Sequence, residues 1–405
     1  MANFITGLDI GSSQIKCVVA TPKKNGELSI VTAFKQPSVG LRKGVLVDTE
    51  EFSLVLREIA NDLQKISRQA TQNIFVNIQS EQVKPRLSRG VVVVARADQE
   101  IQQDDVDRAV QSSRAVKLSS NHLILHNITR EFFVDEVGDI TDPLGMTGSR
   151  LEVSTIIIEA FSPHINILVK SLERVGFTVG GLVFNPLAAA KSVLSKRQRD
   201  LGVLLIDFGF GTTSFAIYEE NKMAHAKSLP VGSGFVSNDI AIGFKTPIDA
   251  AEKLKTTYGF ALSKEISRRE MIKLSEVEPT NKNEIARRFL SEIIEIRLAE
   301  ILDLINNELK SLGRVPQLPA GVVITGGGVK LAGMTDLVKE EMKLPVQIGF
   351  PDLSNFEILN PTHQELLDDP EFASAVGLVL SAAGGNKKIF TGPGLIKQFI
   401  KNLIP

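Results

Sequence analysis

Residues 202–218 read GVLLIDFGFGTTSFAIY, and the organisation of the whole chain can be worked out from this stretch. Four consecutive apolar residues, 203–206, predict a buried strand that ends at Asp207. Glycines and hydroxyl residues follow, and a second apolar run, 215–218, comes directly after them. The stretch therefore predicts a β-hairpin with a tight turn and a carboxylate at its mouth.

The turn of this hairpin has the composition of a phosphate-binding site. Glycines allow the backbone to take φ > 0 and to turn its N–H groups outward, and the hydroxyl groups add further donors. A neighbouring carboxylate holds Mg²⁺ through water. The candidate ligands in this turn are Asp207, Gly209, Gly211, Thr212 and Thr213. Taken alone, the stretch fits an ordinary β-hairpin equally well.

The same pattern occurs near the N-terminus. Residues 4–20 read FITGLDIGSSQIKCVVA, which is again an apolar strand, an aspartate, a turn of glycine and serine, and a second apolar strand. The candidate ligands of this copy are Asp9, Gly11, Ser12, Ser13 and Lys16. The repeat predicts two similar domains that face each other across a cleft, with both aspartates holding Mg²⁺ through water.

A third glycine cluster, GVVITGGGVKLAG at residues 321–333, follows another buried strand and precedes a helix. The three motifs in this order resemble the two phosphate loops and the adenosine loop of the actin, Hsp70 and sugar-kinase superfamily. The resemblance implies an α/β fold of the actin-like (ribonuclease-H-like) two-domain ATPase type. It also implies ATP and Mg²⁺ as cofactors, with Gly326, Gly327 and Gly328 against the adenine.

The composition limits the class of protein further. The chain has 405 residues, of which 43% are hydrophobic, so it can bury more than one core. Its net charge of −1 argues against nucleic acid as a partner. The single cysteine, Cys17, excludes an internal disulfide framework. No basic leader and no run of about 18 apolar residues is present, so we expect a cytoplasmic protein.

A strand–helix–strand–strand pattern at residues 84–162 predicts a small α+β subdomain inserted into the first half. The connection before the helix at 50–67 is too short for the subdomain that actin inserts there. Together with the string DITDPLGMTGSRLEV at 139–153, this plan resembles FtsA, the bacterial actin-like cell-division family. The resemblance covers essentially the whole chain.

Resemblance to FtsA implies an ATP-binding filament protein that tethers FtsZ, a tubulin-like protein, to the inner face of the cytoplasmic membrane at the division site. The implied partners are the C-terminal peptide of FtsZ, further copies of the chain, an anionic membrane surface, and other division proteins bound by the inserted subdomain. Two alternatives on the same fold stay open: a kinase of sugars or acetate, and a pilus-assembly actin homologue.

Two residues depart from the superfamily pattern. Phe210 stands at the middle glycine of the second phosphate loop, which alters how closely the backbone approaches a phosphate. Asn185 stands where superfamily ATPases often carry Glu or Gln, and an asparagine cannot act as a base. Asn185 is a candidate for positioning a water, and both departures favour weak or absent ATPase activity.

The helix predicted at residues 249–258 carries Glu252 and Lys255 three positions apart, and therefore on one face. In Hsp70-like members a Glu-x-x-Lys on the corresponding helix holds the ribose hydroxyls, and the resemblance implies this role here. A surface ion pair is the alternative.

The longest helix is predicted at residues 284–310, and its apolar stripe is expected to lie in the core. The members of that stripe are Phe289, Ile293, Ile296, Ile301, Leu304 and Ile305. The family resemblance implies that Arg297, with Arg287 and Arg288, receives the acidic FtsZ peptide, because arginine can bond both oxygens of a carboxylate. A solvated charged face is the alternative.

The last residues, 394–405, read GLIKQFIKNLIP and follow a glycine-rich stretch. The spacing predicts an amphipathic helix that lies in a membrane interface, with docking on its own domain as the alternative. Its apolar face consists of Leu395, Ile396, Phe399, Ile400, Leu403 and Ile404.

The predicted division of the chain is as follows: subdomain 1A, residues 1–83 and 163–200; inserted subdomain 1C, 84–162; subdomain 2A, 201–229 and 312–385; subdomain 2B, 230–311; a flexible linker, 386–394; and the membrane-targeting helix, 395–405.

Overall fold

The computed structural model describes residues 4–312 and 318–384. The predicted linker and membrane-targeting helix, 386–405, lie outside the described residues. The chain begins with β1 (Ile5–Ile10), β2 (Gln14–Pro22), β3 (Leu28–Pro37), β4 (Leu41–Arg42), β5 (Val45–Leu46), α1 (Thr49–Ile66) and β6 (Ile74–Ile78). The helix predicted at 50–67 is confirmed as α1, and Asp48 caps it by accepting hydrogen bonds from the backbone N–H groups of Glu50 and Glu51.

The predicted insertion is confirmed as a separate four-stranded antiparallel sheet with one helix against it. Its elements are β7 (Lys84–Val93), α2 (Gln103–Ser113), β8 (His122–Val134), β9 (Val137–Ile140) and β10 (Arg150–Phe161), with strand order β7-β10-β8-β9. The helix packs closely because Gly90 has no side chain; a Cβ there would overlap the backbone at Ala109 and Ser113. Strand β9 was missed by the sequence analysis.

The chain then completes the first sheet and builds the second half. The elements that follow are α3 (Ser162–Arg174), β11 (Val179–Phe184), α4 (Asn185–Val193), α5 (Lys196–Leu201), β12 (Val203–Phe208), β13 (Thr213–Glu219), β14 (Lys222–Leu229), α6 (Ser233–Phe244), α7 (Ile248–Tyr258), β15 (Met271–Lys273), β16 (Glu284–Ala286), α8 (Arg287–Ser311), β17 (Val322–Thr325), α9 (Met334–Met342), β18 (Val346–Ile348), β19 (Phe356–Glu357), α10 (Pro361–Leu367) and α11 (Ala373–Ala383).

Two mixed sheets with corresponding topology form the centre of the molecule. Their strand orders are β11-β6-β1-β2-β3-β19 and β14-β13-β12-β17-β18. In each sheet the strand that carries the aspartate is internal: Asp9 of β1 pairs with Lys16 across an antiparallel hairpin, and Asp207 of β12 pairs with Ser214. The repeat found in the sequence is therefore a repeat of the fold, and the predicted α/β plan of two similar halves is confirmed.

The longest helix differs from its prediction. It begins at Arg287 rather than at residue 284, because 284–286 form the short strand β16. Ile301 and Ile305 are buried as expected, but three members of the predicted core stripe are exposed: Phe289 (49%), Ile296 (70%) and Leu304 (45%). The buried face instead consists of Leu290, Ser291, Ile294, Leu298, Ile301, Leu302, Ile305 and Leu309. Apolar residues occur on more than one side of this helix, so periodicity alone did not select the packed side.

The C-terminal segment also differs from its predicted place. Residues 312–385 were assigned to the second half, and β17 and β18 do lie in its sheet. Strand β19, however, pairs with β3 of the first half, and α11 packs on the core formed by the first hairpin. Small residues permit this approach, because a Cβ at Gly7 would lie 2.6 Å from the carbonyl oxygen of Ala375. A Cβ at Gly377 would likewise overlap the backbone of Ala188 in α4.

Candidate functional site

Both aspartate hairpins and the third glycine cluster open onto one cleft with a cavity volume of about 610 Å³. The predicted nucleotide and magnesium residues in its wall are Asp9, Gly11, Ser12, Ser13, Lys16, Asn185, Asp207, Gly209, Gly211, Thr212, Glu252, Lys255, Gly326, Gly327 and Gly328. Thr213 is not part of this wall, because it is fully buried at the start of β13. Motifs that are far apart in sequence thus meet in one site.

A chain of hydrogen bonds joins the two aspartates. The Nδ2 atom of Asn77 donates to Asp9 Oδ1 at 2.6 Å and to Asn185 Oδ1 at 3.1 Å. The Nδ2 atom of Asn185 in turn donates to Asp207 Oδ2 at 2.6 Å and to Ser214 Oγ at 3.2 Å. Asn185, the residue predicted to position a water, therefore uses its side-chain amide to connect the two halves.

Asn77 was missed by the sequence analysis, although a signal was present. It is a polar residue within the otherwise apolar strand β6, IFVNI, and every residue of that strand is buried. A buried polar side chain requires a hydrogen-bonding partner, so such a residue indicates a polar contact in the folded protein. Besides its two donated bonds, Asn77 accepts one from the backbone N–H of Ile10 at 2.7 Å.

Burial sets the electrostatics of the aspartate pair. It raises the pKa of Asp9 above its ordinary value, although the ammonium group of Lys16 at 3.3 Å opposes the rise. Burial likewise raises the pKa of Asp207, against the hydrogen bond from Asn185. Burial would lower the pKa of Lys16, but the charges of Asp9, Glu371 and Asp207 more than offset it, so that pKa is also raised. Bringing a cation to this pair would stabilise both carboxylates.

The donor set fits a magnesium ion held through water. Mg²⁺ usually keeps several waters and takes only one or two carboxylates from a protein. Among residues 4–312 and 318–384, no group of three or more His, Cys, Asp or Glu side chains is placed to hold a metal ion directly. The two buried carboxylates, Asp9 and Asp207, face one cleft, and this number fits a Mg²⁺ ion that the protein holds through its bound waters.

Two further polar residues at the cleft, Glu371 and Ser374, belong to none of the motifs recognised in the sequence. Glu371 forms an ion pair with Lys35 of β3, and its Oε1 atom lies 3.9 Å from the Nζ atom of Lys330 on the third glycine cluster. The hydroxyl group of Ser374 donates to Asp207 Oδ2 at 3.3 Å. Glu371 and Ser374 reach the site only because the C-terminal segment returns to the first half.

The residues predicted to hold the ribose, Glu252 and Lys255 of α7, also line the cleft. The Nζ atom of Lys255 is 2.7 Å from Glu252 Oε2, 2.9 Å from Ser237 Oγ and 3.0 Å from the carbonyl oxygen of Ser233. Burial lowers the pKa of Lys255, and the charge of Glu252 opposes this. Since Lys255 is only 6% exposed, the alternative of a surface ion pair does not describe it.

Phe210 is accommodated within the second phosphate loop. Its ring lies against Gly234 at the start of α6, where a Cβ would be 2.7 Å from the ring. The Nζ atom of Lys255 is 5.5 Å from the ring centroid, within the range of a cation–π contact. The loop keeps its tight turn, in which the Gly209 N–H donates to the carbonyl oxygen of Thr212 at 3.0 Å.

The three arginines predicted for FtsZ do not form one surface. Arg287 lies in the wall of the central cleft and pairs with Glu270 at 2.8 Å. Arg288 and Arg297 are nine positions apart on α8, which places them on opposite sides of a helix with 3.6 residues per turn. Arg297 pairs with Asp239 of α6, with Nε–Oδ2 and Nη2–Oδ1 distances of 2.5 and 3.0 Å.

Exposed and half-buried apolar side chains occur on α6 and α8, the two helices that the Arg297–Asp239 pair joins. The rings of Phe244 on α6 and Phe289 on α8 meet edge to face, with their centroids 5.5 Å apart. Ile242 and Ile296 are among the most exposed apolar side chains described. We call these four residues the α6–α8 surface; they include two members of the stripe that was expected to be core.

Comparison with known proteins agrees with this architecture. The family model described as "Cell division protein FtsA" matches residues 204–377, and the model "SHS2 domain inserted in FTSA" matches residues 81–159. The cell division protein FtsA of Borreliella burgdorferi is 35% identical over 382 residues, covering 93% of this chain and 90% of that protein.

Two solved structures are similar in fold. The PilM-PilN type IV pilus biogenesis complex contains a chain with a TM-score of 0.66 and 19% identity, covering 94% of this chain and 98% of that one. MreB 5 of Spiroplasma citri bound to AMPPNP has a TM-score of 0.56 and 13% identity, covering 100% of each chain.

The fold and the cleft define an actin-like protein with an inserted SHS2 domain in its first half. The chain belongs to the FtsA family of cell division proteins. Within residues 4–312 and 318–384, no helix has the length and apolarity needed to span a bilayer.

Proposed function

We propose that the protein binds ATP with Mg²⁺ in the central cleft, assembles into filaments, and tethers FtsZ to the inner face of the cytoplasmic membrane at the division site. The observation that carries the proposal is the meeting of three glycine-rich loops and two linked aspartates in one cleft, in a member of the FtsA family. Other division proteins would bind the inserted domain.

Each part of the cleft has a distinct proposed role toward the nucleotide. Asp9 and Asp207 hold Mg²⁺ through water, and Lys16 supplies a positive charge beside the phosphates. Glu252 and Lys255 hold the ribose. The remaining residues, which cradle the phosphates or lie against the adenine, are Gly11, Ser12, Ser13, Gly209, Gly211, Thr212, Gly326, Gly327 and Gly328. Bound Mg²⁺ would neutralise phosphate charge.

ATP acts in this proposal mainly as a ligand that favours assembly, and its hydrolysis is slow or absent. A hydrolytic site needs a group that takes a proton from water, and an amide has no such capacity. Asn185 is the candidate nearest to both aspartates, and its amide already bonds Asn77, Asp207 and Ser214. A kinase of sugars or acetate is disfavoured by the family assignment.

The whole proposal is tested by recruitment of FtsZ to lipid vesicles. Vesicles that contain anionic lipid are mixed with FtsZ, the protein and Mg²⁺-ATP, and are then sedimented. We expect FtsZ in the pellet only when the protein is present, and less of it when ATP is omitted. Equal FtsZ in the pellet with and without the protein would contradict the proposal.

The FtsZ peptide, which the family resemblance describes as acidic and apolar, is proposed to dock on the α6–α8 surface. Exposed large apolar side chains offer burial to the apolar part of the peptide. Arg297 of α8 offers a guanidinium group, although Asp239 and Glu300 already share its charge. An incoming carboxylate would therefore compete with these two partners.

Arg297→Glu is expected to weaken binding of the FtsZ C-terminal peptide several-fold. The substitution replaces the cation with a third carboxylate beside Asp239 and Glu300, and the cluster would then repel an acidic peptide. Affinity is measured by fluorescence titration of a labelled peptide. The matched control is Arg57→Glu, which makes the same charge change at an exposed position of α1, in the first half of the protein. Equal losses in the two variants, or none in either, would remove Arg297 from the peptide site; ATP affinity should be unchanged.

A further inference from the structure

The short hairpin β4–β5 has a turn that was not among the motifs of the sequence analysis. Its two turn residues, Lys43 and Gly44, have φ values of 53° and 73°. Two positive φ values in a two-residue loop define a tight type I′ hairpin turn, a geometry that joins twisted strands with little freedom. The backbone at the tip of this hairpin, Lys43 and Gly44, therefore has little conformational freedom.

The tip is wedged between the two phosphate loops. The backbone N–H of Gly44 donates to Ser12 Oγ in the first loop at 3.3 Å. A Cβ at Gly44 would overlap the carbonyl oxygen of Gln79 and lie 3.3 Å from Thr212 Cγ2 in the second loop. Only glycine fits at this position. Through Ser12 and Thr212 the tip contacts both halves of the protein at the phosphate end of the cleft.

The Lys43 side chain extends the hairpin across to the second half. Its Nζ atom lies 5.2 Å from the centroid of the Phe235 ring on α6. Phe235 follows directly on the segment that packs against the second phosphate loop, in which the Ser233 N–H donates to the carbonyl oxygen of Gly209 at 2.9 Å. An ammonium group within about 6 Å of a ring centroid is attracted by the negative face of the ring.

The base of the hairpin is held firmly in the first half. The backbone N–H groups of Val47 and Asp48 donate to the carbonyl oxygen of Gly40 at 2.8 and 3.1 Å, and the Ser38 N–H donates to that of Ser13 at 2.9 Å. Its apolar residues Leu41, Val45 and Leu46 line a small cavity beside α3. Any opening of the two halves would therefore move Lys43 away from Phe235.

We propose that Lys43 and Phe235 form a clasp that closes the phosphate end of the cleft and limits the rate at which bound nucleotide leaves. The inference rests on the proposed binding of ATP in this cleft. A contact made only in the closed arrangement stabilises that arrangement, and its loss lets the cleft open more often. Since opening precedes release, removing the clasp raises the dissociation rate of bound nucleotide.

The test measures release of a fluorescent ATP analogue from the full chain by stopped-flow, with excess unlabelled ATP as the chase. The variants are Lys43→Met, which keeps the aliphatic stem without the charge, Phe235→Leu, which keeps an apolar side chain without the ring, and the double variant. Each single change is expected to speed release by about two- to fivefold, which corresponds to the usual strength of such a contact. The double variant should be no faster than the faster single variant, because both changes remove one shared contact.

A matched control is Lys24→Met, in the exposed turn between β2 and β3. It should release the analogue at the parent rate. Unchanged release in both single variants, or effects that multiply in the double variant, would overturn the clasp. Equilibrium titration of the parent chain separates this result from failure of the proposed function, because a parent that does not bind the analogue refutes the ATP site itself.

Discussion

Asp9→Asn is expected to weaken magnesium-dependent ATP binding by about 100-fold while the protein stays folded. The asparagine can still accept the hydrogen bond from Asn77, but one of the two carboxylates that would hold Mg²⁺ through water is gone. The positive charge of Lys16 also loses its partner at 3.3 Å. Groups that hold a metal ion indirectly typically contribute 10- to 100-fold to its affinity, so we expect a loss of about 100-fold.

Titration of a fluorescent ATP analogue with and without Mg²⁺ measures this loss. The control is Asp62→Asn on α1, which makes the same charge change at a half-exposed carboxylate paired with Lys65, outside the cleft. Thermal unfolding tests the fold: the variant should still unfold cooperatively, at a somewhat lower temperature than the parent, because the buried ammonium group of Lys16 loses its nearest carboxylate. An unchanged magnesium-dependent affinity would show that the assignment of Asp9 is wrong.

Gly327→Glu tests the adenosine part of the cleft independently. A Cβ at Gly327 meets only Glu371, at 3.8 Å and beyond, so the backbone can accept a side chain there. The new carboxylate would occupy the cleft beside Glu371 and exclude the adenine. Binding should therefore be lost with and without Mg²⁺, whereas Asp9→Asn removes mainly the magnesium-dependent part. Tight binding by the Gly327 variant would exclude this loop from the site.

Deletion of residues 395–405 is expected to abolish binding to anionic vesicles, and so is the double change Phe399→Glu with Ile400→Glu. The predicted helix has six large apolar residues on one face, each of which stabilises insertion by at most about 1.5–3 kcal/mol. The two lysines add about 1 kcal/mol each at an anionic surface. Two glutamates would replace two of the six apolar residues at the centre of this face and would place two negative charges against the anionic surface.

Co-sedimentation with vesicles in the presence of ATP measures this effect. The matched control is Gln398→Glu with Asn402→Glu, which adds the same two charges on the polar face. The control should weaken binding far less than the apolar-face variant does. Since a filament carries many copies of the helix, the parent should bind more firmly under conditions of assembly. Membrane binding that survives the deletion would defeat the tethering proposal.

Several features of this protein follow from sequence alone because neighbouring residues determine them. The strands around Asp9 and Asp207, the glycine turns after them and the cap at Asp48 each depend on a few adjacent side chains and on backbone freedom. Their recurrence in order predicted two similar halves, a cleft and its principal lining residues. The insertion at 84–162 was also predictable, because it interrupts a repeating pattern.

Other features depend on which elements pack together, and only the tertiary structure decided them. Helix α8 has apolar residues on several sides, so its buried face was set by packing against α6 and α9, and Phe289 and Ile296 were left exposed. Glu371 enters the cleft because α11 crosses to the first half, where the absence of side chains at Gly7 and Gly377 allows it to pack.

The hydrogen-bonded link between Asp9 and Asp207 was also decided by the tertiary structure. Asn77 and Asn185 lie 68 and 22 positions from the carboxylates that they bond, and no local pattern relates these positions. The tip of the β4–β5 hairpin is similar, because its glycine is required by the Gln79 carbonyl and Thr212 and not by the turn alone. Sequence determined the glycine loops and the two aspartates that this chain brings to the cleft, whereas long-range packing decided how the aspartates are joined and which distant residues, such as Glu371, reach them.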